Sequence, residues 1–118
     1  MTLPLADVGF STEGDIVIAS LRGEIDLSNA GELNETIGRR LTNDVLALVL
    51  DLTAVEYVDS AGIHVMYDLH ERLRNRGQDI RVVIAPGAPI GEALRLADVP
   101  RAIGAAESVE AALASLRE

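Results

Sequence analysis

Apolar and polar positions change period several times along the chain, and each change marks an element. Residues 5–10 and 16–21 are strand-like runs, with the turn signal Glu13-Gly14-Asp15 between them. Together they predict an opening hairpin. From Ala30 the period becomes helical. Ala30, Leu33, Ile37 and Leu41 line one face, and Ser28 stands where a helix cap belongs. Residues 45–52 (VLALVLDL) are apolar almost without interruption. A strand tolerates that pattern when both of its faces are covered, so a central strand is predicted. A long helix is predicted over 60–76, stopped by Gly77. Within it Gly62, Met66, Leu69 and Leu73 share the core side, while Ser60, His64, Tyr67, Asp68, Glu71 and Asn75 turn the other way. Residues 80–85 (IRVVIA) predict a further strand ending at Pro86. Pro89 suits the first turn of a short helix that buries Ile90, Ala93, Leu94 and Ala97. A weak strand is expected over 101–105. Ser108 then caps a last helix that buries Val109, Ala112, Leu113 and Leu116.

The resulting order, β-β-α-β-α-β-α-β-α, predicts an α/β fold: a four- to five-stranded mixed sheet, largely parallel, with helices packed on it. No linker divides residues 1–118, and a chain of 118 residues can bury a core without metals or disulfides. It contains no cysteine, which excludes a disulfide framework, a thiolate nucleophile and a cysteine metal site. The formal net charge of -9 disfavours nucleic acid and anionic membrane surfaces, both of which recruit clustered cations. Residues 1–10 lack the basic start and apolar run of a signal peptide, and no apolar stretch is long enough to span a bilayer. The expected location is the cytoplasm, without direct membrane insertion.

The chemistry concentrates in residues 50–62, LDLTAVEYVDSAG. A buried strand runs through a short turn into a helix, and Asp59-Ser60-Ala61-Gly62 occupies the junction. A helix N-terminus offers unpaired backbone N–H groups and a partial positive charge. A serine there has two readings. Ser60 is a plain N-cap, or its exposed hydroxyl is a modification site whose phosphate the helix end tolerates. Gly62, without a side chain, would let another surface approach the first turn. The stripe holding His64, Tyr67 and Glu71 is either a contact surface or an ordinary solvated face.

This junction, after the LVLDL strand and the Tyr57-Val58 step, resembles the signature of STAS domains. More narrowly it resembles bacterial anti-sigma factor antagonists of the sporulation and general-stress type. Gly23-Glu24-Ile25-Asp26 is similar to the Gly-Glu-Leu-Asp step that leads into the first helix of that family. The resemblance covers nearly the whole chain. It implies that Ser60 is phosphorylated by a partner anti-sigma factor with serine kinase activity, and that a PP2C-type phosphatase reverses the change. It makes Asp59 the acidic residue before the phosphorylation site and Asp26 an acidic residue on the neighbouring loop. The implied partner-binding set is Asp26, Asp59, Ser60, Ala61, Gly62, His64 and Tyr67. One departure stands out: the family often has a small residue where His64 stands.

The same resemblance leaves two other non-enzymatic roles, a STAS subunit of a membrane transport or lipid-trafficking assembly and a scaffold in a stress-sensing complex. Catalysis is not expected. Asp59, Ser60 and His64 do not make a triad, because a histidine one helical turn from the serine is poorly placed for Asp59 to orient. No Walker A or GxGxxG motif is present. His64 and Asp68 are one turn apart but lack a second histidine on their stripe, so neither metal nor cofactor is expected.

Overall fold

A computed structural model describes residues 6–117. The opening hairpin consists of β1 (Ala6–Glu13) and β2 (Ile16–Ile25), joined by Gly14 and Asp15. Gly14 has φ +59°, the left-handed backbone that two-residue hairpin loops require. Leu5, the predicted first strand residue, lies outside the described residues. There follow α1 (Ala30–Gly38), β3 (Ala47–Val58), α2 (Ser60–Asn75), β4 (Asp79–Val83), α3 (Gly91–Leu96), a π-helical turn (Pro100–Gly104), β5 (Ala105–Ala106) and α4 (Val109–Leu116). The sheet order is β1-β2-β3-β4-β5; β1 is antiparallel to β2, and every later pairing is parallel. The mixed five-stranded sheet agrees with the α/β expectation.

The unbroken apolar run of β3 is explained by helices on both faces. Leu48, Leu50 and Leu52 join Val17, Ala19 and Leu21 under α1, α2 and α3. Ala47 and Val49 turn the opposite way, with Ile16, Ile18 and Val83, and meet Ala112 and Leu113 of α4. The predicted phase of α2 holds: Gly62, Met66, Leu69 and Leu73 are buried, as is Val65. Gly77 ends α2 with φ +72°. Ser108 caps α4 by accepting from the Ala111 N–H at 3.0 Å.

Several boundaries differ from the sequence expectation. Strand β3 starts two residues later than 45 and continues to Val58, because β2 also continues, to Ile25, and supplies its backbone partners. Ser28 does not cap α1. Its hydroxyl donates to Asp26 Oδ1 (2.5 Å), and the helix begins after Asn29 without a side-chain cap. Leu41 lies beyond the end of α1 yet is still buried. Pro89 precedes α3 rather than starting it, and β4 ends at Val83. The strand expected over 101–105 is mostly the π-helical turn. Asp98, at φ +64°, turns the chain, and its carbonyl accepts from the Ala102 N–H at 2.9 Å, so that group is spent in a turn rather than a ladder. Arg101 grips the Asp98 carboxylate at 2.7 and 3.0 Å, and that hydrogen bonding holds the carboxyl below its usual range.

Leu69 is fully buried beneath α2, whereas Leu96 is 74% exposed on α3. Leu69→Ala should therefore cost about 2–5 kcal/mol in denaturant unfolding, and Leu96→Ala should change stability by less than about 0.5 kcal/mol.

Candidate functional site

The parallel strands deliver their C-terminal ends to one end of the sheet, and the junction 59–62 lies there. Only Asp59 separates β3 from α2. Its backbone is extended, with φ -104° and ψ -173°, as an N-cap requires. One carboxylate oxygen, Oδ1, accepts from the N–H groups of Ala61 (2.9 Å) and Gly62 (3.1 Å). The other, Oδ2, accepts from the Leu27 N–H at 3.1 Å, across 32 positions of sequence. The Asp59 N–H donates to the Ile25 carbonyl at 3.1 Å. Asp59 is thus both the helix cap and a tie to the loop between β2 and α1.

That loop is itself held at every residue. Asp26 Oδ1 accepts from the Ser28 N–H at 2.9 Å as well as from its hydroxyl. Asn29 Oδ1 accepts from the Asp26 N–H (3.0 Å), while its Nδ2 donates to the Glu24 carbonyl (2.8 Å). Asp26 therefore lies beside the junction, and its role in the fold is to shape the loop.

Ser60 is the first residue of α2, not its cap. The duty that a serine would have at this place falls to Asp59, and the Ser60 side chain is exposed. The plain cap reading of Ser60 is thereby removed. Ala61 is half-buried beside it. Gly62 faces inward, as its helical phase predicted, and so does not serve the approach of another surface. A Cβ there would lie 2.5 Å from Val58 Cγ2 and 2.8 Å from Ile25 Cγ2, so its missing side chain brings α2 onto β2 and β3 rather than opening the turn to an incoming surface. His64 is exposed, one turn along. Tyr67 is half-buried and its hydroxyl donates to the Ala97 carbonyl at 2.6 Å, which secures α2 to the end of α3. The expected stripe is continuous in His64 and Glu71 but sunken at Tyr67. Asp68 accepts from Asn34 Nδ2 at 2.8 Å, a contact with α1 that uses the carboxylate offered to His64 in the metal reading.

Two exposed residues were not among the site candidates read from the sequence, although Tyr57 belonged to the signature before the junction. Leu27 is 82% exposed and Tyr57 is 50% exposed, and both line one hollow with Asp26, Ser28 and Asp59. The signal for Leu27 was present: a large apolar residue in an otherwise polar connection, off the stripe of Ala30, Leu33 and Ile37.

Residues 10–112 match the family model of the STAS domain. The chain belongs to the STAS domain family. It is 30% identical over 103 residues to the anti-sigma-F factor antagonist RsfB of Mycobacterium tuberculosis, covering 86% of this chain and 82% of that one. An anti-sigma factor antagonist from Mycobacterium paratuberculosis has the same fold, with a TM-score of 0.87 at 24% identity over the whole of both chains. The chain is also 28% identical over 124 residues to low affinity sulfate transporter 3 of Stylosanthes hamata, a match that covers 89% of this chain and 19% of that protein. Among the described residues no helix is long and apolar enough to cross a membrane.

Separating Asp59 from Ser60 in the fold separates their variants. Asp59→Ala should lose about 0.5–2 kcal/mol of stability, while Ser60→Ala should stay within about 0.5 kcal/mol of wild type. Gly62→Ala must displace Val58 or Ile25 and should cost about 1–3 kcal/mol. Thermal melts of the three variants measure these differences.

Proposed function

We propose that this chain is an anti-sigma factor antagonist, switched off by phosphorylation of Ser60. The observation that carries this reading is an exposed serine at the first position of α2 that is released from capping by Asp59. Kinship with RsfB supplies the partner class. In this reading the unmodified surface around Ser60 docks on an anti-sigma factor that is also a serine kinase and so releases a sigma factor. The nucleotide and the catalytic groups belong to that partner. This chain is not an enzyme: it contributes a shaped surface and one acceptor hydroxyl. Ser60 Oγ attacks the γ-phosphorus, the bond to the departing nucleoside diphosphate breaks, and the hydroxyl proton passes to a base of the kinase.

Phosphorylation adds about -1.5 to -2 charge and bulk to a surface that already carries Asp26 and Asp59. A dianion of that size obstructs the fit of the docking face without unfolding the helix, whose N-terminus accommodates an anion. A PP2C-type phosphatase restores the docking form, and the exchange takes place in the cytoplasm. Asp26, Ser60, Ala61 and His64 form the contact surface in this scheme. Asp59 and Gly62 act from beneath it, and Tyr67 lies at its margin.

The likeness to the sulfate transporter favours a second reading, a STAS subunit of a membrane transport assembly. Incubation with kinase-type anti-sigma factors and ATP, followed by intact-protein mass spectrometry, distinguishes the two. A single phosphate on wild type, absent from Ser60→Ala, is expected. Ser60→Ala should still bind, and Ser60→Asp should remain folded and bind more weakly. If no kinase-type partner modifies Ser60, the transport reading takes precedence.

A further inference from the structure

The surface around Ser60 has relief as well as charge. Leu27 stands as a ridge between two hollows. One, of about 440 Å³, is the hollow shared with Tyr57 and Asp59. The other, of about 710 Å³, runs between α1 and α2 and is lined by Leu27, Ala30, Gly31, Ser60, Ala61 and His64 among others. A surface that fills the second hollow meets Ser60 and Leu27 together.

A single exposed leucine is ordinary on a protein surface. Leu27 is set apart by how it is held and by its surroundings. Its own N–H is bound to Asp59, and the residues on either side are bound through the Asp26 carboxylate and the Asn29 amide. The backbone that carries Leu27 is already ordered, so docking does not have to fix the loop. Tyr57, of a residue type enriched at binding anchors, is exposed across the first hollow. Asp26 and Asp59 line that hollow, Glu24 is Tyr57's neighbour on β2, and Glu56 is exposed beside it. Among the described residues no arginine lines either hollow. A second copy joined through this same surface would bring these carboxylates together, and an anionic membrane would be repelled.

We infer that Leu27 is the apolar anchor of the docking surface, and that its partner presents an apolar socket rimmed by arginine or lysine side chains. The inference rests on the reading of Ser60 given above and adds the residue and the chemistry that recognise the kinase-type partner. It also gives the phosphate a definite point of action. The phosphate enters the hollow that shares Leu27 as a wall, so charge and bulk appear where the anchor must seat.

The test compares wild type with Leu27→Ala, Leu27→Asp and Leu96→Asp, the last being an equally accessible leucine away from the site. Binding to the kinase-type anti-sigma factor is measured by titration calorimetry, with thermal melts in parallel. Leu27→Ala should weaken binding about tenfold and Leu27→Asp about a hundredfold or more, with unchanged melting temperatures. Leu96→Asp should bind within about twofold of wild type. The wild-type association rate, read by stopped flow, should fall as salt is raised. Tight binding by wild type with unaltered binding by both Leu27 variants overturns the anchor and leaves the Ser60 reading intact. Salt-insensitive association overturns the basic rim. Failure of wild type to bind any kinase-type anti-sigma factor overturns the Ser60 reading, and the anchor with it.

Discussion

Asp59 uses both oxygens of one carboxylate to hold three backbone N–H groups, and these groups belong to two different elements. Two of them are orphan donors at the start of α2, which every helix must satisfy somehow. The third belongs to Leu27, on the loop between β2 and α1. The helix start and the loop therefore form one unit, with Ile25 and Val58 packed beneath Gly62. This arrangement leaves Ser60 without a structural task. A serine that had to cap its helix could not also be modified freely, because changing the hydroxyl would remove the cap.

The sheet explains why the unit stands clear of the rest of the molecule. β3 pairs with β4 only as far as Asp51 and Val83. It then continues to Val58 with β2 as its strand partner. The bond registers shift between Ser20 and Arg22 and again between Gly23 and Glu24, where Gly23 adopts φ +95°. Such irregularities bend a strand pair and re-aim its side chains. α4 packs low on its face, on Ile16, Ile18, Ala47, Val49 and Val83. Thr53, Ala54, Glu56 and Tyr57 lie beyond that cluster and are exposed. The long projecting end of β3 thus presents Tyr57 and Asp59 together at one end of the domain.

In the proposed switch this economy suits a protein that works by being recognised. The core is distributed over both faces of the sheet, and the site draws little on it: a loop, one cap and the first turn of one helix. Charge or bulk added at Ser60 alters the surface while the buried side chains beneath α2 remain as they were. The fold can therefore persist in both states of the switch, and the distinction between them is left to the partner's fit.

Much of this could be read from the chain itself. Apolar period reports which side of an element is buried, so it predicted the double burial of β3, the inward face of α2 and the helices over the sheet. The Asp-Ser-Ala-Gly junction and its resemblance to STAS domains pointed to Ser60 and to its neighbours Asp26 and Asp59. Local pattern does not report who meets whom at a distance. The cap passed from Ser60 to Asp59 because the extended backbone at 59 aims its carboxylate at Ala61 and Gly62, and serine and aspartate are equally good caps on paper. Ser28 lost its predicted cap to the Asp26 carboxylate two residues away. Gly62 had two readings, a place on the packed face and an opening to a partner, and Val58 and Ile25 lying against it decide for the first. Leu27 drew no reading from the sequence, and its display follows from Asp59, 32 positions later, binding its N–H. Apolar period was enough for most elements, their buried faces and the serine at the junction; which carboxylate caps α2 and which leucine is displayed were settled only in the folded chain, because both depend on a side chain meeting backbone N–H groups of another element.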